Sequence, residues 1–229
     1  MECNPAEVIR GRYIGDHGRL YQEQQNMLPA SLYGWMARLR AKRLSHIIPT
    51  DARVFEYGVG LGYNLAQLPA RRKAGFDICE PSEIFQQNGI EFFQDIEMVP
   101  NHCWDVVLCH HVLEHVPSPL DTLKEIKQKV VSGGMVLVFV PYEREVRYRC
   151  YRPTEQNGHI FSWNPQTLGA LLVNAGFKIQ TIRLSPFGYD RRAALIANRF
   201  RLGEVGYHTV HKVLHIVRPS REVRAILTI

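Results

Sequence analysis

The reactive side chains of this sequence concentrate in one hexapeptide, His110-His111-Val112-Leu113-Glu114-His115, and in a later stretch, His159-Ile160-Phe161-Ser162-Trp163. An imidazole titrates near neutral pH, so His110, His111 or His159 is a candidate to take a proton from a hydroxyl during a transfer reaction. His111-x-x-Glu114-His115 also matches, letter for letter, the H-x-x-E-H of a metalloprotease, in which histidines at i and i+4 hold zinc. The setting argues against a protease. The string follows directly on the apolar run 104–109, which reads as a buried strand, and a short motif outside its structural context carries little weight.

A second segment is built for cradling a ligand. Arg53-Val54-Phe55-Glu56-Tyr57-Gly58-Val59-Gly60-Leu61-Gly62 runs from a short apolar strand, through an acid, into three closely spaced glycines. Glycines there allow a sharp turn and let backbone N–H groups approach a ligand where a Cβ would intrude. The spacing excludes two common readings. A dinucleotide fingerprint wants its third glycine where Tyr63 stands, and a phosphate loop ends in Gly-Lys-Ser or Gly-Lys-Thr, where this chain has Gly62-Tyr63-Asn64.

What remains, acid-x-Gly-x-Gly-x-Gly at the end of a first strand, resembles the first motif of the class I S-adenosylmethionine-dependent methyltransferases. Leu113-Glu114-His115-Val116, Gly133-Gly134 and Val140-Pro141 extend the resemblance, which spans roughly residues 30–185. It implies S-adenosyl-L-methionine as cofactor, and a site formed by Glu56, Gly58, Gly60, Gly62, Asp77, Asp95, Ile96 and His110. The ribose carboxylate has two candidates. Asp77 and Glu80 both lie about 20 residues past the glycines, as the role requires; Gly75-Phe76-Asp77-Ile78-Cys79 favours Asp77, while Glu80-Pro81-Ser82 resembles another family variant. Asp95 is the expected acceptor for the adenine amino group, with Ile96 against the ring, although a plain turn aspartate would look the same.

Two groups within this class, small-RNA 3′-end 2′-O-methyltransferases and ubiquinone-pathway O-methyltransferases, bind a metal through Glu-x-x-Glu-His. The first adds a histidine in a His-x-Phe-x-Trp stretch, which His159-Ile160-Phe161-Ser162-Trp163 matches. His111 stands where those groups carry their first glutamate, so a site of His111, Glu114, His115 and His159 would be softer, suited to zinc, nickel or iron rather than magnesium. That departure makes a metal-free reaction the expectation.

The elements that must position these residues follow from periodicity. Residues 31–48 carry apolar side chains at helical spacing, Leu32, Trp35, Met36, Leu39 and Leu44, with Arg38, Lys42 and Arg43 off the arc as a solvated face and Pro49 as the stop. Tyr13 and Tyr21 precede this helix and are candidates to close the cleft. Strands are expected at 54–55, 74–80, 90–93, 104–109, 135–141, 178–184 and 221–229, with helices at 64–68, 120–131, 167–175 and 205–217. Alternation of this kind predicts an α/β fold, a Rossmann-like seven-stranded sheet with helices on both faces. It is mostly parallel, and the resemblance makes the last strand antiparallel. Residues 1–50 form a helical cap and 51–229 the catalytic domain, with a lid over 142–162. In the 205–217 helix, His208, His211 and His215 make one stripe. The opposite arc of Val210, Val213, Leu214 and Val217 is expected to be the buried one.

Composition narrows the classes. With 229 residues, 45% hydrophobic and 22% charged, the chain suits one α/β domain with appendages, and no apolar run is long enough to span a membrane. Five cysteines, an odd number without a C-x-x-C pair, read as reduced thiols, and the first residues do not form a signal peptide; a cytoplasmic protein is expected. The net charge of +6 suits an anionic partner. The leading expectation is methyl transfer to a hydroxyl, or an amine, of a small-molecule or carbohydrate-like acceptor. The alternatives are a metal-assisted RNA 2′-O-methyltransferase and a cofactor-binding protein without activity. Oligomeric state is left open.

Overall fold

The computed structural model describes residues 30–143, 150 and 157–229. Tyr13, Tyr21 and most of the expected lid over 142–162 lie outside the described residues. After α1 (Ala30–Lys42), strand and helix alternate through β1 (Arg53–Tyr57), α2 (Tyr63–Ala66), β2 (Arg72–Phe76), α3 (Glu83–Gln87), β3 (Glu91–Phe93) and β4 (Trp104–His110). There follow α4 (Pro119–Lys129), β5 (Val130–Pro141), α5 (Pro165–Asn174), β6 (Lys178–Pro186), α6 (Asp190–Arg199), α7 (Gly203–Val217) and β7 (Arg221–Thr228).

The strands form one seven-stranded sheet in the order β3-β2-β1-β4-β5-β7-β6. β1 to β5 pair in parallel, and β7 is antiparallel to both β5 and β6. The expected fold class therefore holds. Side chains alternate across the sheet, so Phe55, Val107, Val136 and Val138 pack against Leu123, Ile126, Leu168 and Leu172 of α4 and α5 on one face. Val54, Val106, Leu108, Leu137 and Phe139 meet Ala41, Leu65, Leu68 and Phe85 on the other. Covering both faces accounts for the nearly continuous apolar run of β4.

Several boundaries differ from expectation. β2 ends at Phe76, because the Asp77 carboxylate accepts the Cys79 N–H at 3.0 Å and turns the chain out of the sheet. α4 gives way at Val130 directly to β5, so Gly133 and Gly134 lie inside the extended segment rather than between helix and strand. α6 has no counterpart in the sequence reading, which left that region unassigned. α1 packs through Leu39 against Ala193, Ala194, Ala197 and Tyr207 of α6 and α7. The three helices thus form a roof over one face of the sheet.

The solvated basic face expected for α1 is correct for Arg38 and Lys42, which are exposed. It is wrong for Arg43, whose guanidinium reaches inward to Asp190 at 2.7 Å. The histidine stripe of α7 is as expected at His208, which is exposed, and at Val210, which packs against the Tyr207 cluster, but is inverted further along the helix. Val213 and Val217 are 52% and 77% exposed, while His211 and His215 face a cavity beneath the helix. The physical reason is that α7 covers a polar cavity rather than an apolar core; its one fully buried anchor is Tyr207, which donates a hydrogen bond to buried Asp190.

Candidate active site

The glycine turn holds one open position between two closed ones. A Cβ on Gly58 would overlap Val112, and one on Gly62 would overlap the ring of Phe85, so both glycines serve close packing. Gly60, at φ +54, has no atom of the described residues within 4 Å of where a Cβ would stand. Its N–H donates to the Asp77 carboxylate at 2.7 Å, which ties the loop to the end of β2. Glu80 is exposed. Asp95 is exposed as well and caps the single turn Ile96–Met98 by accepting the Glu97 N–H at 3.0 Å, with Ile96 half-buried beside it.

Glu56, in β1, is 6% exposed, and its Oε2 has no hydrogen-bond partner among the described residues. Burial, reinforced by the nearby Asp77 carboxylate, pushes its pKa up to about 8. The carboxyl borders a cavity of about 610 Å³ between the sheet and the helical roof. Leu108, His110, Phe139, Glu222 and Arg224 line its sheet side; Arg43, Asp190 and His211 line the roof.

At the carboxyl end of β4 the histidines separate into two groups. His110 and His111 stack with ring centroids 4.5 Å apart, and their Nε2 atoms lie 3.7 and 3.3 Å from Glu222 Oε2. His111 adopts a left-handed φ of 58°, uncommon for a residue with a side chain and often found at functional sites. Burial, then the neighbouring His110, lower the His111 pKa to about 4 despite the opposing pull of Glu222. Burial alone would raise Glu222, but the two imidazoles outweigh it and hold that carboxylate ionised. Only His110 of the pair opens into the cavity.

The second group is Glu114, His115 and His159, whose potential ligand atoms all lie within 4.8 Å of one another. Glu114 is fully buried and neither of its carboxyl oxygens accepts a hydrogen bond from the described residues; His111 Nδ1 and His115 Nε2 stand 3.7 and 3.9 Å from Oε1. Burial raises the Glu114 pKa to about 7, and burial together with His159 and His111 lowers that of His115 to about 3. His159 is turned by Glu143, whose Oε1 lies 2.8 Å from Nδ1. The chain at 160 is held in place, since the Ile160 N–H donates to the Glu114 carbonyl at 2.8 Å. Phe161 and Trp163 of the same stretch stack on each other and belong to the core.

A family model described as a methyltransferase domain matches residues 31–182. The chain belongs to that family. Among curated proteins, this methyltransferase domain is 32% identical to the ubiquinone biosynthesis O-methyltransferase of Yersinia pestis over 117 residues, covering 43% of this chain and 48% of that protein. The chain thus spans about half the length of the curated relatives it matches. Among solved structures it resembles the 1,6-didemethyltoxoflavin N1-methyltransferase of Burkholderia thailandensis, with a TM-score of 0.62 and 17% identity over 99% of this chain and 91% of that one. That enzyme was solved with its acceptor and S-adenosylhomocysteine. An S-adenosylmethionine-dependent methyltransferase of Thermotoga maritima, described as a possible histamine N-methyltransferase, gives a TM-score of 0.58 at 21% identity over 80% and 87% of the two chains. The fold is that of the S-adenosylmethionine-dependent methyltransferases.

Within this methyltransferase domain the glycine turn, Asp77 and Glu56 stand together, and of these Glu56 lines the cavity that also reaches His110. The four residues His111, Glu114, His115 and His159 do not form one cluster. His111 sits between the two groups, near Glu114 on one side and Glu222 on the other. Glu222 escaped sequence reasoning altogether. It reaches His110 because antiparallel pairing sets Glu222 opposite Pro141 and Arg224 opposite Phe139, itself the partner of His110. The only local signal was an acid at the head of an otherwise apolar strand.

Proposed function

We propose that this domain transfers a methyl group from S-adenosyl-L-methionine to a hydroxyl of a small acceptor held in the cavity, with His110 as general base and Glu222 as its positioning partner. The observation that carries the reading is the continuity of one cavity from Glu56, beside the glycine turn, to His110. The open side of Gly60 and the unpartnered oxygen of Glu56 fit a polar, cationic ligand lying along the turn. Asp77 is the proposed acceptor for ribose hydroxyls, with Asp95 and Ile96 on the adenine side. The bound cofactor supplies an electrophilic methyl group on a sulfonium, so the protein's part is alignment and removal of a proton. His110 accepts the hydroxyl proton at its ring nitrogen, and ionised Glu222 stabilises the imidazolium that results.

The test is release of S-adenosylhomocysteine in the presence of screened small hydroxylated acceptors. His110→Ala is expected to lower kcat by roughly 10² to 10⁴, the usual contribution of a general base. Unchanged kcat would remove His110 from that role, and no release with any acceptor would favour a cofactor-binding protein without activity.

A second reading is favoured by Glu114, whose buried, unpartnered carboxyl faces His115 and His159. These three, with His111 nearby, have the donor types of a zinc, nickel or iron site and would hold such an ion beside the cavity. A chelator would then stop turnover and a divalent ion restore it, with S-adenosylhomocysteine affinity unchanged. Indifference to chelators supports the metal-free reaction.

A further inference from the structure

The acceptor end of the cavity is strongly cationic. Arg183 and Arg224 are register partners on β6 and β7, and both line the cavity, so two guanidiniums stand side by side on its outer wall. Arg224 lies over the Phe139 ring, 5.6 Å from guanidinium carbon to centroid. Its Nε and Nη2 are buried and have no hydrogen-bond partner among the described residues. Buried N–H donors of a charged group are costly to leave unsatisfied, and a guanidinium fork matches a carboxylate or phosphate in two parallel bonds. Burial and the neighbouring Arg183 both oppose the charge of Arg224, which an arriving anion would relieve.

The other charges facing this wall do not supply that anion. Arg40 and Arg43, on the roof, are already paired with Asp190, at 3.4 and 2.7 Å. Glu222, on the same strand as Arg224, is engaged by His110 and His111. Glu56, with its pKa near 8, is largely uncharged at neutral pH. Five Arg and Lys side chains line the cavity (Arg40, Arg43, Arg183, Lys212 and Arg224) against two ionised carboxylates, Asp190 and Glu222, which leaves a surplus of three positive charges.

Resting on the proposed acceptor role of this cavity, we propose that the acceptor carries an oxyanion, a carboxylate or a phosphate, bound between Arg183 and Arg224, with an apolar body along Phe139 and Phe187. The sheet order separates this site from the cofactor's own carboxylate. β7 lies three strands from β1, about 14 Å at the usual strand spacing, and two strands, about 10 Å, from the β4 column that carries His110. The acceptor is therefore a small molecule with its nucleophile and its oxyanion at opposite ends.

Calorimetric titration of the S-adenosylhomocysteine-loaded protein with benzoate, phenyl phosphate and benzamide tests this. One or both anions should bind at least about tenfold tighter than neutral benzamide, the gain expected of charge-assisted bonds, and the better of the two identifies a carboxylate or a phosphate site. Arg224→Gln should abolish most of that preference and leave S-adenosylhomocysteine affinity within about twofold, as should Arg183→Gln, which removes an exposed side chain that the core does not need. Benzamide binding as tightly as the anions, no binding of any of the three, or a parallel loss of S-adenosylhomocysteine affinity in Arg224→Gln would each overturn the proposal. In the last case the arginine serves the cofactor. Failure of the unmodified protein to bind S-adenosylhomocysteine would instead strike the cofactor reading itself, and this inference with it.

Discussion

The two ends of the cavity are made in different ways. At the β1 end, lined by Glu56 and Asn64, the adjoining glycine turn presents backbone: Gly60 with its open face, an N–H held by Asp77, and a turn closed against Val112 and Phe85. At the β7 end it presents long charged side chains, Arg183 and Arg224 below and Arg43, paired with Asp190, above. Backbone at the first end offers fixed N–H groups, whereas Arg224 on the interior strand β7 and Arg183 on the edge strand β6 offer charge. In the proposed function the first end serves the cofactor and the second selects the acceptor.

The sharpest way to break this division is at Gly60. Gly60→Val should eliminate measurable S-adenosylhomocysteine binding, because a branched side chain would fill the open side of the turn. A Cβ there meets no atom of the described residues, so the main cost to the fold is the left-handed φ, about 2 kcal/mol, or roughly 4–8 °C in Tm. A folded mutant that still binds would take the glycine turn out of the site. Next in size, Asp77→Ala should weaken S-adenosylhomocysteine by about 1.5–3 kcal/mol through lost charge-assisted hydrogen bonds. Exposed Glu80 serves as the control, and Glu80→Ala should change the affinity far less; the reverse ranking would move the ribose ligand by three residues.

A smaller effect belongs to the junction between the two halves. The His111 pKa falls from 6.5 to about 4 on folding, so between those values the unfolded chain holds a proton that the folded one lacks. The stability contributed by neutral His111 is complete above pH 6.5 and is lost as pH falls toward 4. His111→Asn, whose side chain tolerates the left-handed φ, should shrink the loss in urea midpoint between pH 7 and pH 5, leaving the part owed to His115. An unchanged pH dependence would mean that His111 is accessible and titrates normally.

The same contrast explains what was legible in the sequence. The glycine turn, Asp77 and the β4 histidines each directly follow or end a parallel strand, so the strand-turn pattern of each short segment marks it in the sequence. Glu222 and Arg224 enter the site only through the register of an antiparallel strand inserted between β5 and β6, and periodicity carries no information about register. His211 and His215 of α7 depart from the solvated side expected of them for a related reason. The rule that the apolar arc faces inward assumes an apolar interior, and here the interior beneath α7 holds Asp190, Arg43 and the cavity. The metal-type motif was found as letters but not as a cluster, because the left-handed turn at His111 sends that ring toward Glu222 while Glu114 and His115 turn to His159.

A crystal structure with S-adenosylhomocysteine bound tests the central claim most directly. The ribose is expected on Asp77, the methionine moiety along Gly60 and Glu56, and the sulfur directed into the cavity toward His110. A ligand that occupies the glycine turn but points its sulfur away from the cavity, or a cavity closed off from the turn, would contradict it.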